Sequence, residues 1–197
     1  MSRQKRSLKI ALDFDEVIVQ AHAFLSEICF QKHGMHLPAH VYRYPDWDSP
    51  PITEEEYTDI IFRHRTPPLE WAESIALMPG ALEGIALLLD SGLDISILTA
   101  RGLYTGEIEA VEHVLKRHQL SLPIVGTAYQ PKAGFLDDHT LIMDDQIHEL
   151  QPISEEVHRL LFYRPHNIPV WQNPQRGIVP VNDWPHAVEK IKELLNL

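Results

Sequence analysis

A chain of 197 residues, 44% hydrophobic and 23% charged, can bury one good core, or one core with a small insertion. Its formal net charge is −11 and no Lys/Arg block runs through its body, so a nucleic acid duplex would be met by repulsion. The lone cysteine, Cys29, excludes an internal disulfide, and neither a signal-peptide pattern nor a bilayer-length apolar run is present, so the expected setting is a reducing cytoplasm without a membrane.

The short basic start, Arg3, Lys5 and Arg6, reads as a frayed terminus. Leu8 to Val19 follows, an apolar run of strand length that ends in Asp13 and Asp15 with one residue between them. In a buried parallel sheet Asp13 falls at the C-terminal edge of the strand, where open α/β sheets bind ligands. Two acids crowded at such an edge need neutralising, and a divalent cation does this while also drawing phosphate. Read alone, the pair fits a strand running into an acidic turn better than it fits a metal site.

From Gln20 to Met78 the pattern is helical, broken by Pro38, by Pro45 through Pro51 and by Pro67-Pro68. Ala23, Leu25, Ile28 and Cys29 mark one helix, with Cys29 as a core filler. Thr53 with Glu56 reads as a capping box that opens a second helix through Ile60, Ile61 and Phe62. The block predicts a helical cap over 20–78, inserted into a core made of 1–19 and 79–197. His33, His36 and His40 sit in a Pro-containing loop with no fourth ligand and read as solvated side chains. Tyr42, Tyr44, Trp47, Tyr57, Phe62 and Trp71 crowd the cap; Trp47 and Trp71 are the candidates to stack on a flat substrate.

After Pro79-Gly80 the order becomes regular. A helix with Leu82, Ile85, Leu88 and Leu89 inward stops at Ser91-Gly92, and Leu93 to Leu98 is a strand ending in Thr99-Ala100-Arg101. The next helix turns Ile108, Val111 and Leu115 inward and pairs Glu112 with Lys116 outward. Strands follow at Pro123 to Thr127, at Thr140 to Met143 before Asp144-Asp145, and, as a fifth, at Arg159 to Tyr163, with Lys132 behind the first of these. A last helix starts near Asn182, Asp183 and Pro185 and presents Val188, Ile191, Leu194 and Leu195. The expected fold class is α/β, a doubly wound parallel sheet with helices on both faces.

Asp13/Asp15, Thr99, Lys132 and Asp144/Asp145 all fall at or just after strand C-termini, which share one rim in such a sheet. In this order the set resembles the haloacid dehalogenase-like (HAD) phosphohydrolase superfamily, through Asp13-Phe-Asp15-Glu-Val, Ile97-Leu-Thr99-Ala-Arg101, Lys132 chosen by spacing, and Ile142-Met-Asp144-Asp145. The helical block sits where that superfamily inserts its first type of cap. Glu16 departs from the pattern, since a glycine is commoner there. Leu98-Thr99-Ala-Arg101, Arg164-Pro-His-Asn167 and Asp183-Trp184 look most like the 5′(3′)-deoxyribonucleotidase-type branch.

The resemblance implies a Mg²⁺-dependent phosphomonoesterase acting on nucleotides or similar small phosphorylated substrates. Asp13 would be the nucleophile and Asp15 the general acid and base. The metal would be held by Asp13, Asp144 and the Asp15 backbone carbonyl, with Asp145 supporting a metal-bound water or orienting Lys132. Thr99 and the Ala100 amide would hold phosphate oxygens, and Lys132 would offset charge on the nucleophile and phosphoryl group. Arg101 either binds substrate or forms an ion pair supporting its loop; Arg164 and His166 stay open between similar roles. The alternatives are a phosphotransferase, a phosphatase on non-nucleotide metabolites, and an inactive phosphate-binding regulatory protein. Intact Asp13, Asp15, Thr99 and Asp144 argue against the last.

Overall fold

The computed structural model describes residues 8–41, 48, 50–65, 70–173 and 175–197, with the backbone alone for 62–65 and 70. Six parallel strands form one sheet: β1 (Lys9–Leu12), β2 (Asp94–Thr99), β3 (Ile124–Gly126), β4 (Leu141–Asp144), β5 (His158–Phe162) and β6 (Ile178–Val181), in the order β3-β2-β1-β4-β5-β6. Side chains alternate across the strands. Ile10, Leu12, Leu141, Met143, Leu160 and Phe162 join one buried cluster, while Ala11, Ile142 and Leu161 join another. Both sheet faces are therefore covered, which is why the strands read as continuous apolar runs.

Helices α4 (Ala81–Asp90), α5 (Glu107–Arg117) and α8 (Trp184–Leu195) cover the first cluster. On α4, Ile85 and Leu88 are buried but Leu82 and Leu89 are exposed, so the inward stripe is narrower than the sequence suggests. Its place is taken by the Trp184 ring, which lies against Gly84 so closely that a Cβ there would run into it. The second cluster is covered by the 3₁₀ turn Lys132–Phe135, by α6 (Ile147–Leu150) and by α7 (Ile168–Gln172). Five strands are predicted from the sequence, and the sheet has six among the described residues. The sixth, Ile-Val-Pro-Val, carries Pro180 and lacks strand alternation, which only an edge position tolerates.

Between β1 and α4 lie α1 (Ala21–His33), α2 (Glu54–Arg65) and α3 (Glu70–Ser74). The capping box forms: the Thr53 amide donates to Glu56 Oε2 at 2.8 Å and the Glu56 amide to Thr53 Oγ1 at 3.2 Å. Leu25, Cys29, Leu37, Val41, Ile52, Tyr57 and Ile60 make a small separate core. Trp71, Ala72 and Ile75, by contrast, pack into the main cluster. The chain leaves and re-enters the sheet domain side by side: Val19 and Leu77 form an antiparallel bridge, and the Met78 amide donates to the Ile18 carbonyl at 2.7 Å.

Candidate active site

The strand order reverses between β1 and β4, the place where open α/β sheets form a ligand crevice. Asp13 follows β1 and Asp144 ends β4, and the Asp13 amide donates to the Met143 carbonyl at 2.9 Å. Lys132, brought in by the 3₁₀ turn behind β3, puts its ammonium 2.7 Å from Asp13 Oδ1 and 2.5 Å from Asp144 Oδ2. All three side chains are buried. Spacing alone singles out Lys132, and the structure brings it to these acids.

Asp145, the fourth group, is buried beside them; its Oδ2 accepts from Gln146 Nε2 and faces His166 Nε2, each at 2.9 Å. One ammonium thus bridges two of three buried carboxylates. Burial raises the Asp13 carboxyl well above its ordinary value; Lys132 pulls it down less strongly, and the charges of Asp144, Asp145 and Asp15 add to the rise. Burial, then Asp144 and Glu16, do the same to Asp145. Burial alone would lower the Lys132 ammonium, yet Asp13 and Asp144 together hold it above its ordinary value.

Such a cluster fits a hard divalent cation. Asp13, Asp144 and Asp145 each present an oxygen within 4.8 Å of the others, and Asp145 Oδ1 is buried with no hydrogen-bond partner among the described residues. The fourth acid of the sequence reading, Asp15, does not bring its carboxylate into this group. Both of its oxygens accept from Arg101, at 2.9 Å from Nε and 2.7 Å from the terminal nitrogen.

Arg101 is fully buried, with its guanidinium carbon 4.4 Å from the Trp71 ring centroid and 5.5 Å from that of Phe14. Of its two sequence readings, the structure shows the ion pair that supports the loop. Trp71 is 1% exposed and packs in the main core, so it does not overhang the rim as a stacking platform. Trp47, with Tyr42 and Tyr44, lies outside the described residues. Thr99 is buried at the end of β2, its Oγ1 accepting from the Arg101 amide at 3.3 Å. Behind it, the Ala100 and Arg101 carbonyls accept from the amides of Tyr129 (3.0 Å) and Ala128 (3.1 Å), two residues in left-handed backbone.

Glu16, Arg164, His166 and Asn167 surround the same rim. Glu16 stands at φ 62° with its side chain 1% exposed, which accounts for glycine being the easier residue there. Arg164 Nε donates to Glu16 Oε2, and Asn167 Nδ2 donates to the Asp145 carbonyl at 2.9 Å. No local pattern around Glu16 points to a partner so distant in sequence; the cue available was the departure from glycine.

No protein-family model matches the sequence, and no curated protein matches it either. Solved structures do. A HAD-superfamily hydrolase from Ehrlichia chaffeensis is 12% identical, with 98% of this chain and 100% of that one covered at a TM-score of 0.58. A HAD family hydrolase from Deinococcus radiodurans, with bound phosphate and sodium, is 12% identical over 97% of each chain, at a TM-score of 0.62. D,D-heptose 1,7-bisphosphate phosphatase from B. bronchiseptica, complexed with magnesium and phosphate, is 15% identical over 94% of this chain and 98% of that one, at 0.55. The fold of this chain is that of the HAD-superfamily hydrolases.

Proposed function

We propose that the protein is a Mg²⁺-dependent phosphomonoesterase that passes the phosphoryl group through Asp13. The observation that carries this is the Asp13–Lys132–Asp144 contact at the sheet's switch point, in a fold shared with hydrolases whose described ligands include phosphate and magnesium. Asp13, Asp144 and Asp145 would hold the ion with the Asp15 carbonyl, and the ion would neutralise charge on these acids and on the phosphate.

An oxygen of Asp13 attacks phosphorus, the ester P–O bond breaks, and the departing alcohol oxygen takes a proton from Asp15. Water then attacks the aspartyl-phosphate, returning its proton to Asp15 and releasing phosphate. The Thr99 hydroxyl and the Ala100 amide donate to phosphate oxygens, while Lys132 counters charge on Asp13 and the transferring group. Arg101 fixes the direction in which Asp15 points.

Nucleoside monophosphates are the first substrates we propose, on the branch resemblance. Arg164 and Asn167, two residues of that resemblance, stand beside Glu16 and Asp145, and Trp184 Nε1 donates to the Val17 carbonyl at 2.8 Å, which steadies the loop after Asp15. The test is phosphate release from a panel of nucleoside monophosphates and sugar phosphates, in Mg²⁺ and in EDTA. Metal-dependent release that Asp13→Asn abolishes is expected; release from that variant at the wild-type rate rules the mechanism out.

A further inference from the structure

A cleft of about 560 Å³ opens beside the acid cluster. Asp145 lines it, with His40 from the inserted block on one side and Pro165, His166, Ile168 and Val170 from the chain after β5 on the other. Its volume lies within the range of roughly 300–1,000 Å³ usual for small-molecule sites.

Glu16 ties the two walls together. Its Oε1 accepts from the His22 amide at 2.7 Å, in the first turn of α1, and its Oε2 accepts from Arg164 Nε. On the inserted side, the His22 ring lies 3.1 Å from the Pro38 carbonyl, two residues before His40. On the core side, the Arg164 amide donates to Asn167 Oδ1 at 3.0 Å, and Asn167 Nδ2 donates to the carbonyls of Asp145 (2.9 Å) and Phe162 (2.7 Å). The position has φ 62°, which a glutamate adopts against its backbone preference. What the glutamate adds over glycine is the carboxylate, and the carboxylate spans the gap.

We propose that Glu16 is a positioning residue that fixes the separation of these walls, and that the cleft between them seats the alcohol portion of a phosphate ester of about nucleoside size. The second half of this statement rests on the phosphatase reading; the first does not. A wall displaced by about 1 Å can cost up to about 100-fold in rate. An alcohol too short to reach His40 escapes most of that loss.

The experiment compares kcat/KM for a nucleoside 5′-monophosphate and for glycerol phosphate in wild type, Glu16→Gly and Glu16→Gln. In Glu16→Gly the preference for the nucleotide, read as the ratio of the two kcat/KM values, should fall about 10- to 100-fold. Glu16→Gln, which keeps an acceptor, should fall in between. An unchanged preference in both variants, or equal losses on both esters carried by kcat, overturns the proposal. If Glu16→Gly does not fold, Arg164→Met cuts the same clasp from its other end.

Amide hydrogen exchange reads the clasp without turnover: protection of the His22 amide and the first turn of α1 should drop at least about tenfold in Glu16→Gly. Unchanged exchange overturns the clasp. Absence of phosphate release from both esters in the wild type overturns the phosphatase reading and the cleft's role with it, and the exchange result then decides the clasp alone.

Discussion

Removing the Asp13 carboxylate should stabilise the metal-free protein, although it removes an ion pair. At an effective dielectric constant of about 20, two carboxylates up to 4.8 Å apart repel by about 3–4 kcal/mol. Lys132, 2.7 Å from Asp13, attracts it by about 6 kcal/mol on the same footing. Asp13 meets two such repulsions, from Asp144 and Asp145, so the pairwise effects nearly cancel. Burial then decides the sign, and burial disfavours the charged form. The cost has a ceiling, because the group can take up a proton. Between its ordinary value of 3.8 and pH 7 that ceiling is about 4 kcal/mol.

We expect Asp13→Asn to recover about 1–3 kcal/mol of this at pH 7. For a chain of this size that is roughly 2–12 °C in Tm. An acid held above its ordinary value binds its proton more tightly when folded, so the stability it contributes is present below about pH 4 and is lost as pH rises toward neutrality. The advantage of the variant should therefore be near zero around pH 4 and grow toward pH 7. Urea unfolding in EDTA across that range, as the difference between variant and wild type, measures it. Saturating Mg²⁺ should reverse the order, since a ligand at 100 times its Kd adds about 2.7 kcal/mol to the form that binds it. A variant less stable than wild type in EDTA at pH 7, or an advantage that ignores pH, would refute the reasoning.

Three further outcomes follow from the packing. Arg101→Ala leaves the Asp15 carboxylate buried without its bidentate partner and should cost about 3–5 kcal/mol in urea unfolding; the Arg101→Ala/Asp15→Asn double variant should recover part of the loss. Gly84→Ala gains up to about 1 kcal/mol of helix propensity but drives a methyl into the Trp184 ring, an overpacking cost of about 1–3 kcal/mol, so Tm should fall. Burial lowers the imidazoles of His22, His118 and His139 below their ordinary 6.5, so each stabilises the fold above that pH and loses its contribution as pH falls through it. Relative to the triple variant His22→Gln/His118→Gln/His139→Gln, wild type should lose stability in urea unfolding as pH falls from 6.5 to 5; a flat difference would contradict the burial of these rings.

The sheet was legible because a strand buried on both faces needs apolar residues at its middle, and β1, β2, β4 and β5 each carry a short run with three buried apolar side chains. β6 was not, because an edge strand with Pro180 carries no such run. The acids were legible for the same reason that they are costly: Asp13 and Asp144 each end an apolar strand, where a charge has no structural excuse. Arg101 and Trp71 were harder. The sequence shows a cation after Thr99 and an aromatic before the return to the core, but not that one stacks on the other. Glu16 and Arg164 lie 148 positions apart. Only the closing of β1 and β5 into one sheet, through β4, makes them neighbours.

One residue separates Asp13 from Asp15, yet each has its own cation. Phe14, buried between them, accepts the amides of Ile18 and Val19 on its carbonyl at 3.0 and 3.1 Å, and this tight turn sends the two side chains to different partners. Lys132 reaches Asp13 from the turn behind β3, whereas Arg101 reaches Asp15 from the end of β2. Were one cation shared between them, any change of charge on Asp15 would be felt at once by Asp13 through the common partner. With separate partners the coupling is left to distance alone. In the proposed reaction Asp15 gives up and regains a proton while Asp13 gains and loses a phosphoryl group, and the two steps call for opposite changes of charge at neighbouring carboxylates. A guanidinium, which does not give up its proton, stabilises the carboxylate that Asp15 becomes once its proton has passed to the leaving group. An ammonium bridging Asp13 and Asp144 is the suitable partner for the acid whose charge is handed to phosphorus, because Asp144 keeps it in place when Asp13 becomes neutral.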